Sequence, residues 1–173
     1  MDFFERGRKA LAQGGIYAHW VQLYDMTPDE LRLVVRSFVS VFPESVLATT
    51  IPGVDILLIG FTGEPAIDMS RIREGMARDS IRADLSRSPV GIETPEDLVE
   101  HIRVRPEALH RLGGHGALNT FDRPLLSYSA PRSRFRDTSR ENMALIDRHA
   151  EGVAPLVENM HSATLTSAPR KVP

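Results

Sequence analysis

Histidine is the side chain in this sequence with the widest chemical range, since imidazole serves as metal ligand, general base and proton carrier near neutral pH. The chain holds His19, His101, His110, His115, His149 and His161. No two of them stand at i, i+4, the spacing that sets a zinc pair on one helix face, and H-x-x-E-H is absent. His101, His110 and His115 meet only if the fold happens to bring them together. Cysteine is absent altogether. That excludes thiolate metal sites, a cysteine nucleophile and disulfides, and it suits a reducing compartment. A serine nucleophile has no G-x-S-x-G turn to present it. No metal ligand set and no catalytic residue is assigned.

Two glycine groups invite a phosphate-binding reading. Gly14-Gly15 precedes an apolar run, whereas a phosphate loop must follow a strand and open a helix so that its amides face the ligand. Gly113-Gly114-His115-Gly116 opens no helix either, and both groups read as turns. Trp20 and Gln22 stand two apart on a strand-like run and share one face. They open two readings. In one, Trp20 is core and Gln22 bonds a neighbouring loop, which is what buried strand residues usually do. In the other, Gln22 and Tyr24 lie at the strand end where α/β sheets bind ligands. Arg132, Arg134, Arg136 and Arg140 form a basic run around Phe135. With a net charge of −2 and a pI near 6.3, that run reads as a solvated face and nucleic acid is not an expected partner.

The elements that position these residues are legible from spacing. Phe3 to Ala12 alternates apolar and charged faces as a short helix does, and Gln13-Gly14-Gly15 is expected to cap its end. Ile16 to Leu23 is β-branched and aromatic with few charges, the pattern of a strand buried on both faces. Thr27-Pro28-Asp29-Glu30 combines an N-cap, a proline at the first helical position and a capping-box glutamate. The helix it opens carries Leu31, Val34, Val35, Phe38 and Val41, and Phe42-Pro43 closes it. Ser45 to Thr50 and Val54 to Gly60 are strand-like. The short Ile51-Pro52-Gly53 link makes them an antiparallel hairpin, since parallel partners need a much longer crossover. Beyond Glu64, Asp68 caps a helix through Ile72 and Met76, and Ser88-Pro89 breaks the helical pattern after it. Thr94-Pro95-Glu96-Asp97 opens a helix carrying Leu98, Val99 and Ile102, and Pro106 opens another that Gly113-Gly114 ends. Asn119 to Pro131 reads as loop, Glu141 to His149 as a last helix, and Ser162 to Pro173 as a frayed tail.

A chain of 173 residues supports one domain with a sizeable core. At 42% hydrophobic and 25% charged residues it has the composition of a globular protein. No apolar run approaches the roughly 20 residues of a membrane helix, and Met1-Asp2-Phe3-Phe4-Glu5 lacks a signal-peptide pattern. The expected location is cytoplasmic, and no solenoid repeat is present.

Phe3-Phe4-Glu5 and the run from Leu11-Ala12-Gln13-Gly14-Gly15 through Tyr24, followed by Val41-Phe42-Pro43, resemble the second half of the spermidine synthase (polyamine aminopropyltransferase) family. The likeness is closest to its long bacterial fusion members. Asn119-Thr120-Phe121-Asp122-Arg123-Pro124-Leu125-Leu126 with Ala130-Pro131-Arg132 is similar to the N-T-D-D-R-P segment of those fusions, with Phe121 where that pattern has an acid. The resemblance covers roughly Phe3 to Arg140. It implies an α/β fold, the C-terminal half of a Rossmann-like (methyltransferase-type) sheet ending in an antiparallel hairpin, followed by a helical extension. Ile16–Leu23 would be the fifth strand and the hairpin the last two. The implied division is 1–63 as the partial sheet unit, 64–131 as the helical extension with its Asn119, Asp122 and Arg123 loop, and 132–173 as polar linker, short helix and tail.

The family transfers an aminopropyl group from decarboxylated S-adenosylmethionine to putrescine. Its glycine loop, ribose-binding acid and catalytic aspartate belong to the first four strands, which have no counterpart here. Trp20, Gln22 and Tyr24 are the candidate substrate-binding residues. Gln22 falls where compact members carry a diamine-holding glutamate, and a neutral amide lacks that charge. The implied function is a truncated synthase-like protein, inactive alone, that needs a cofactor-binding half from the same longer chain or from a separate subunit. The alternative is a non-catalytic interaction subunit pairing through an open sheet edge, which also invites self-association. Met1 as an internal start is a further expectation.

Overall fold

The computed structural model describes residues 1–51, 53–63, 65, 67–87, 90–152 and 156–158. Pro52, Ser88-Pro89, His161 and the 162–173 tail lie outside the described residues. Helix α1 (Asp2–Ala10) is followed by strand β1 (Ile16–Gln22), helix α2 (Pro28–Val39), and strands β2 (Ser45–Thr49) and β3 (Asp55–Phe61). The capping box at the start of α2 forms as its residue types dictate. The Thr27 hydroxyl accepts from Glu30 N at 3.3 Å, and Glu30 Oε2 accepts from Thr27 N at 2.7 Å.

Two terminations differ from expectation. Helix α2 ends at Val39, with Val41 and Phe42 buried beyond it. Their amides bond back to Phe38 O and finish the last turn without continuing it. Helix α1 ends at an extended Leu11 and not at a glycine cap. Gly14, at φ +73, instead makes the turn into β1.

The hairpin forms as expected, Val46 opposite Ile59 and Ala48 opposite Leu57. Its second strand then inserts between the first and β1, Trp20 facing Leu57 and Gln22 facing Asp55. Strands β1 and β2 therefore run the same way without touching, joined by α2, and every hydrogen-bonded pair of this sheet is antiparallel. The expected α/β class holds, with an open four-stranded antiparallel sheet. A further strand, β5 (Ile102–Val104), joins the far side of β2 to give the order β1-β3-β2-β5. Ile102, expected on a helix, is on this strand because α5 (Pro95–Glu100) stops before it. The other strands among the described residues are the two-residue pair β4 (Ile67–Asp68) and β6 (Val157–Glu158), which is parallel.

The other helices among the described residues are α3 (Met69–Met76), α4 (Asp79–Leu85), α6 (Pro106–Gly113), α7 (Leu125–Ser133) and α8 (Ser139–Asp147). Asp68 caps α3 through Ser70 N at 2.9 Å, and Thr94 caps α5 through Asp97 N at 3.1 Å. Helix α7 replaces the 125–131 part of the loop expected over Asn119–Pro131, and it includes Pro131, while 119–124 carry no helix or strand. The main core lies on one face of the sheet. Val21, Leu47, Ile56, Leu58 and Val104 meet Leu31, Val35 and Phe38 of α2, with α6 and α8 contributing Leu109, Leu112, Leu145 and Ile146. On the other face Ile67, Met69 and Val99 pack with Ile102 beside the β5 end.

The β1 end of that second face is open. Ile16 is 60% and Trp20 50% exposed, so the strand expected to be buried on both faces alternates instead. Among the described residues nothing pairs with the outer edge of β1, and an edge strand covered on one face only alternates in this way. No described helix is long and apolar enough to cross a membrane.

Candidate functional site

The chain leaves β1 through a strained turn. Asp25 has φ +54, a left-handed conformation that asparagine and aspartate tolerate better than other side chains. It persists because three residues hold it. Asn142 of α8, fully buried, donates from Nδ2 to Leu23 O and Met26 O, each at 2.7 Å. Thr138 Oγ1 accepts from Met26 N at 3.3 Å. Asp25 Oδ1 accepts from Phe135 N at 2.7 Å, and Phe135 is itself at φ +71. Strain of this kind, fixed by its surroundings, collects at functional sites.

Beside that turn lies a cavity of about 230 Å³, lined by His19, Trp20, Val21, Gln22, Asp25, Met26 and Glu30 together with Val34, Leu126 and Ala130. His19 to Gln22 are consecutive, so the cavity runs along the unpaired edge of β1 and not over one face. Its lining holds two carboxylates and no lysine or arginine. Burial raises the pKa of Glu30. Hydrogen bonds from Thr27 N, from the Ser129 and Ser133 hydroxyls and from Thr27 Oγ1 more than offset that and hold it below the ordinary carboxylate range. Glu30 therefore stays ionised at neutral pH. The cavity is suited to a cation, with aromatic and amide groups available to orient it.

Of the expected substrate residues, Trp20 and Gln22 line this cavity and Tyr24 does not. Trp20 Nε1 donates to Asp55 Oδ2 at 2.9 Å, a diagonal cross-strand pair that fixes the ring. The Asn119 loop is elsewhere in role. Asn119 Oδ1 accepts from Leu126 N at 2.9 Å and so caps α7, while Asn119 N donates to Ser37 Oγ at 2.9 Å. Arg123 N donates to Thr120 Oγ1 at 3.0 Å, Asp122 is exposed, and Arg6 lies over the exposed Phe121 ring. Asp25 and Glu30 were missed as site residues. Glu30 is fully accounted for by its capping box, and the only signal for Asp25 is an acid between a strand end and an N-cap.

The described histidines do not converge. His101 Nδ1 contacts Thr49 O at 2.7 Å, His110 Nε2 contacts Pro43 O at 3.0 Å and His149 Nδ1 contacts Leu145 O at 2.9 Å. Among the described residues no three His, Asp or Glu side chains gather as a metal site. The four arginines of the 132–140 run are exposed.

His19 packs edge-on to Phe4, with ring centroids 4.9 Å apart, and lies near Phe3 and Phe38. Burial pushes its pKa below the ordinary 6.5. The unfolded chain then binds the proton more readily, so His19 adds stability above pH 6.5 that is lost as pH falls through the lowered folded value. Thermal unfolding should therefore show a lower Tm at about pH 5 than at pH 7, and His19→Leu should flatten that slope. Equal slopes in both proteins would show that folding leaves the proton affinity of His19 unchanged.

No protein-family model, curated protein or solved structure matches this chain.

Proposed function

We propose that this chain is the amine-side part of a spermidine synthase-like aminopropyltransferase, completed by a cofactor-binding half that pairs with the outer edge of β1. The observation that carries this reading is the cavity at the end of β1. It is acidic, and it is bounded on one side by a strand edge with no partner among the described residues. A strand added there would finish the wall and bring a second substrate alongside the first. Strand β1 carries no Asp, Glu, Lys or Arg, the charges that edge strands use to repel pairing.

The sheet order supports the same reading. The resemblance makes β1 the fifth strand and β2–β3 the closing hairpin, and in the structure the last of these inserts antiparallel between the other two. The charge that Gln22 does not supply is supplied instead by Asp25 and Glu30. Decarboxylated S-adenosylmethionine would be held by the completing half, whose glycine loop and catalytic aspartate have no counterpart here. The residues of this chain would bind and orient the diamine.

The chain alone should give no aminopropyl transfer from decarboxylated S-adenosylmethionine to putrescine. Adding the four-strand half of a family member should restore turnover, and Asp25→Asn should reduce it at least tenfold, mostly in KM, through loss of a charge-assisted contact. Turnover by the chain alone would refute the division of labour. The rival reading, a non-catalytic subunit that uses the same edge, is favoured by the exposed Ile16 and Trp20 beside it. It predicts complex formation without turnover, lost in Ala18→Lys, which sets a charge beside the pairing edge.

A further inference from the structure

We propose that α7 is a strap over the cavity, latched by the cavity's own carboxylates, so that docking α7 and filling the cavity with a cation reinforce one another. Leu126 and Ala130, one turn apart, are the face that α7 turns to the cavity. Its C-terminal latch is polar. Ser133 Oγ lies 2.8 Å from Glu30 Oε2, 3.0 Å from Ala130 O and 3.1 Å from Asp25 O. A hydroxyl has one hydrogen to donate, and the nearest acceptor, a carboxylate, is also the strongest. Two residues on, Phe135 N donates to Asp25 Oδ1. The N-terminal end is held by Asn119 Oδ1 through Leu126 N.

The Ser129 hydroxyl also serves Glu30, and Asp25 N donates to Arg136 O at 3.3 Å just past the helix. Beyond these polar ties, little apolar packing among the described residues holds it. Of its nine residues only Ser133 is buried, with Leu126 partly packed on the core. Pro131 removes one rung of the helical ladder, and Tyr128 is 72% exposed. An element with few apolar contacts and polar ties at its ends opens locally before the fold does. The cavity has its α7 wall only when α7 is docked, so an occupant touching both walls binds the docked state and stabilises it. The latch stands on geometry alone, whereas its link to an amine rests on the function proposed above.

Trypsin reads this directly, because Arg132, Arg134 and Arg136 are exposed within and just after the strap. Cutting under native conditions follows the fraction of open strap. In the full chain, Ser133→Ala should speed cleavage at these three sites roughly tenfold, the effect of losing one hydrogen bond to a charged group. Ser133→Thr, which keeps the hydroxyl, should leave the rate near wild type. Arg82 on exposed α4 and buried Arg103 serve as internal references and should not change. Asp25→Asn, which keeps the turn and removes the charge, should accelerate the same three sites independently. Unchanged cutting in both Ser133→Ala and Asp25→Asn overturns the latch, as does a parallel rise at Arg103. Putrescine at millimolar concentration should slow cleavage of wild type at 132–136. If the latch variants respond and putrescine does not, the strap stands, and its link to a cation and the amine reading fall.

Discussion

Phe38→Ala is expected to cost about 3–5 kcal/mol of folding free energy, the range for truncating a buried aromatic ring. Phe38 is fully buried and lies at the centre of an aromatic cluster. Its ring is 5.1 Å from Phe4 of α1 and 5.2 Å from Phe42, with Tyr17 and His19 of β1 at 6.3 and 6.4 Å. One side chain thus joins the lead-in helix, the edge strand and the crossover helix. Removing it leaves a void among aromatic rings, which rotate but cannot collapse as aliphatic chains do. Urea unfolding measures the cost, and a loss under about 1.5 kcal/mol would mean that the cluster repacks. The same substitution tests the site, because Phe38 is part of the shielding of His19. The His19 pKa, followed by NMR, should rise from its lowered folded value toward 6.5 as water gains access. A destabilised chain with an unmoved His19 would show that Phe4 and Phe3 alone exclude water from the imidazole.

The elements legible in the sequence are those set by local chemistry. Thr27-Pro28-Asp29-Glu30 and Thr94-Pro95-Glu96-Asp97 both carry their caps within four residues, and both form capping boxes. The hairpin was legible because so short a link leaves no other connection. The elements that the sequence hid depend on distant partners. Strand β5 has three residues, Ile102-Arg103-Val104, too few for a period, and it becomes a strand only because β2 offers Leu47 and Ala48. Helix α7 contains Pro131 and starts after Pro124, both breaker signals, and it is held by Asn119, Glu30 and Asp25 from elsewhere. The exposure of Ile16 and Trp20 was hidden for a related reason, since a run of apolar residues states that a strand can be covered and not that it is. The candidate site was half legible. Trp20 and Gln22 followed from strand position, while the acids were masked by the capping role of Glu30 and by a turn whose geometry is imposed by α8.

That imposed geometry makes Asn142 the second large target. Asn142→Ala is expected to destabilise the fold by about 1–3 kcal/mol, the cost of leaving one buried carbonyl unsatisfied. Its Nδ2 serves Leu23 O and Met26 O, the carbonyls on either side of strained Asp25. Leu23 O keeps a second donor in Thr138 Oγ1 at 3.3 Å. The loss therefore falls mainly on Met26 O. Part of the cost is returned, because Asn142 Oδ1 is itself buried without a partner among the described residues and leaves with the side chain. Asn142→Asp should be worse than alanine. It removes both donors and sets carboxylate oxygens against two carbonyl oxygens, where only an uptake of a proton relieves the repulsion. Urea unfolding orders the three proteins. Trp20, the single tryptophan, lies beside the affected turn and gives a local signal. If Asn142 acts by holding the turn, the Trp20 emission of Asn142→Ala should shift before the far-UV transition, and trypsin cutting at Arg134 and Arg136 should rise with it. Coincident transitions and unchanged cutting would place the cost in the α8 core around Leu145 and Ile146, and the cavity would then owe its shape to α2 and β1 alone.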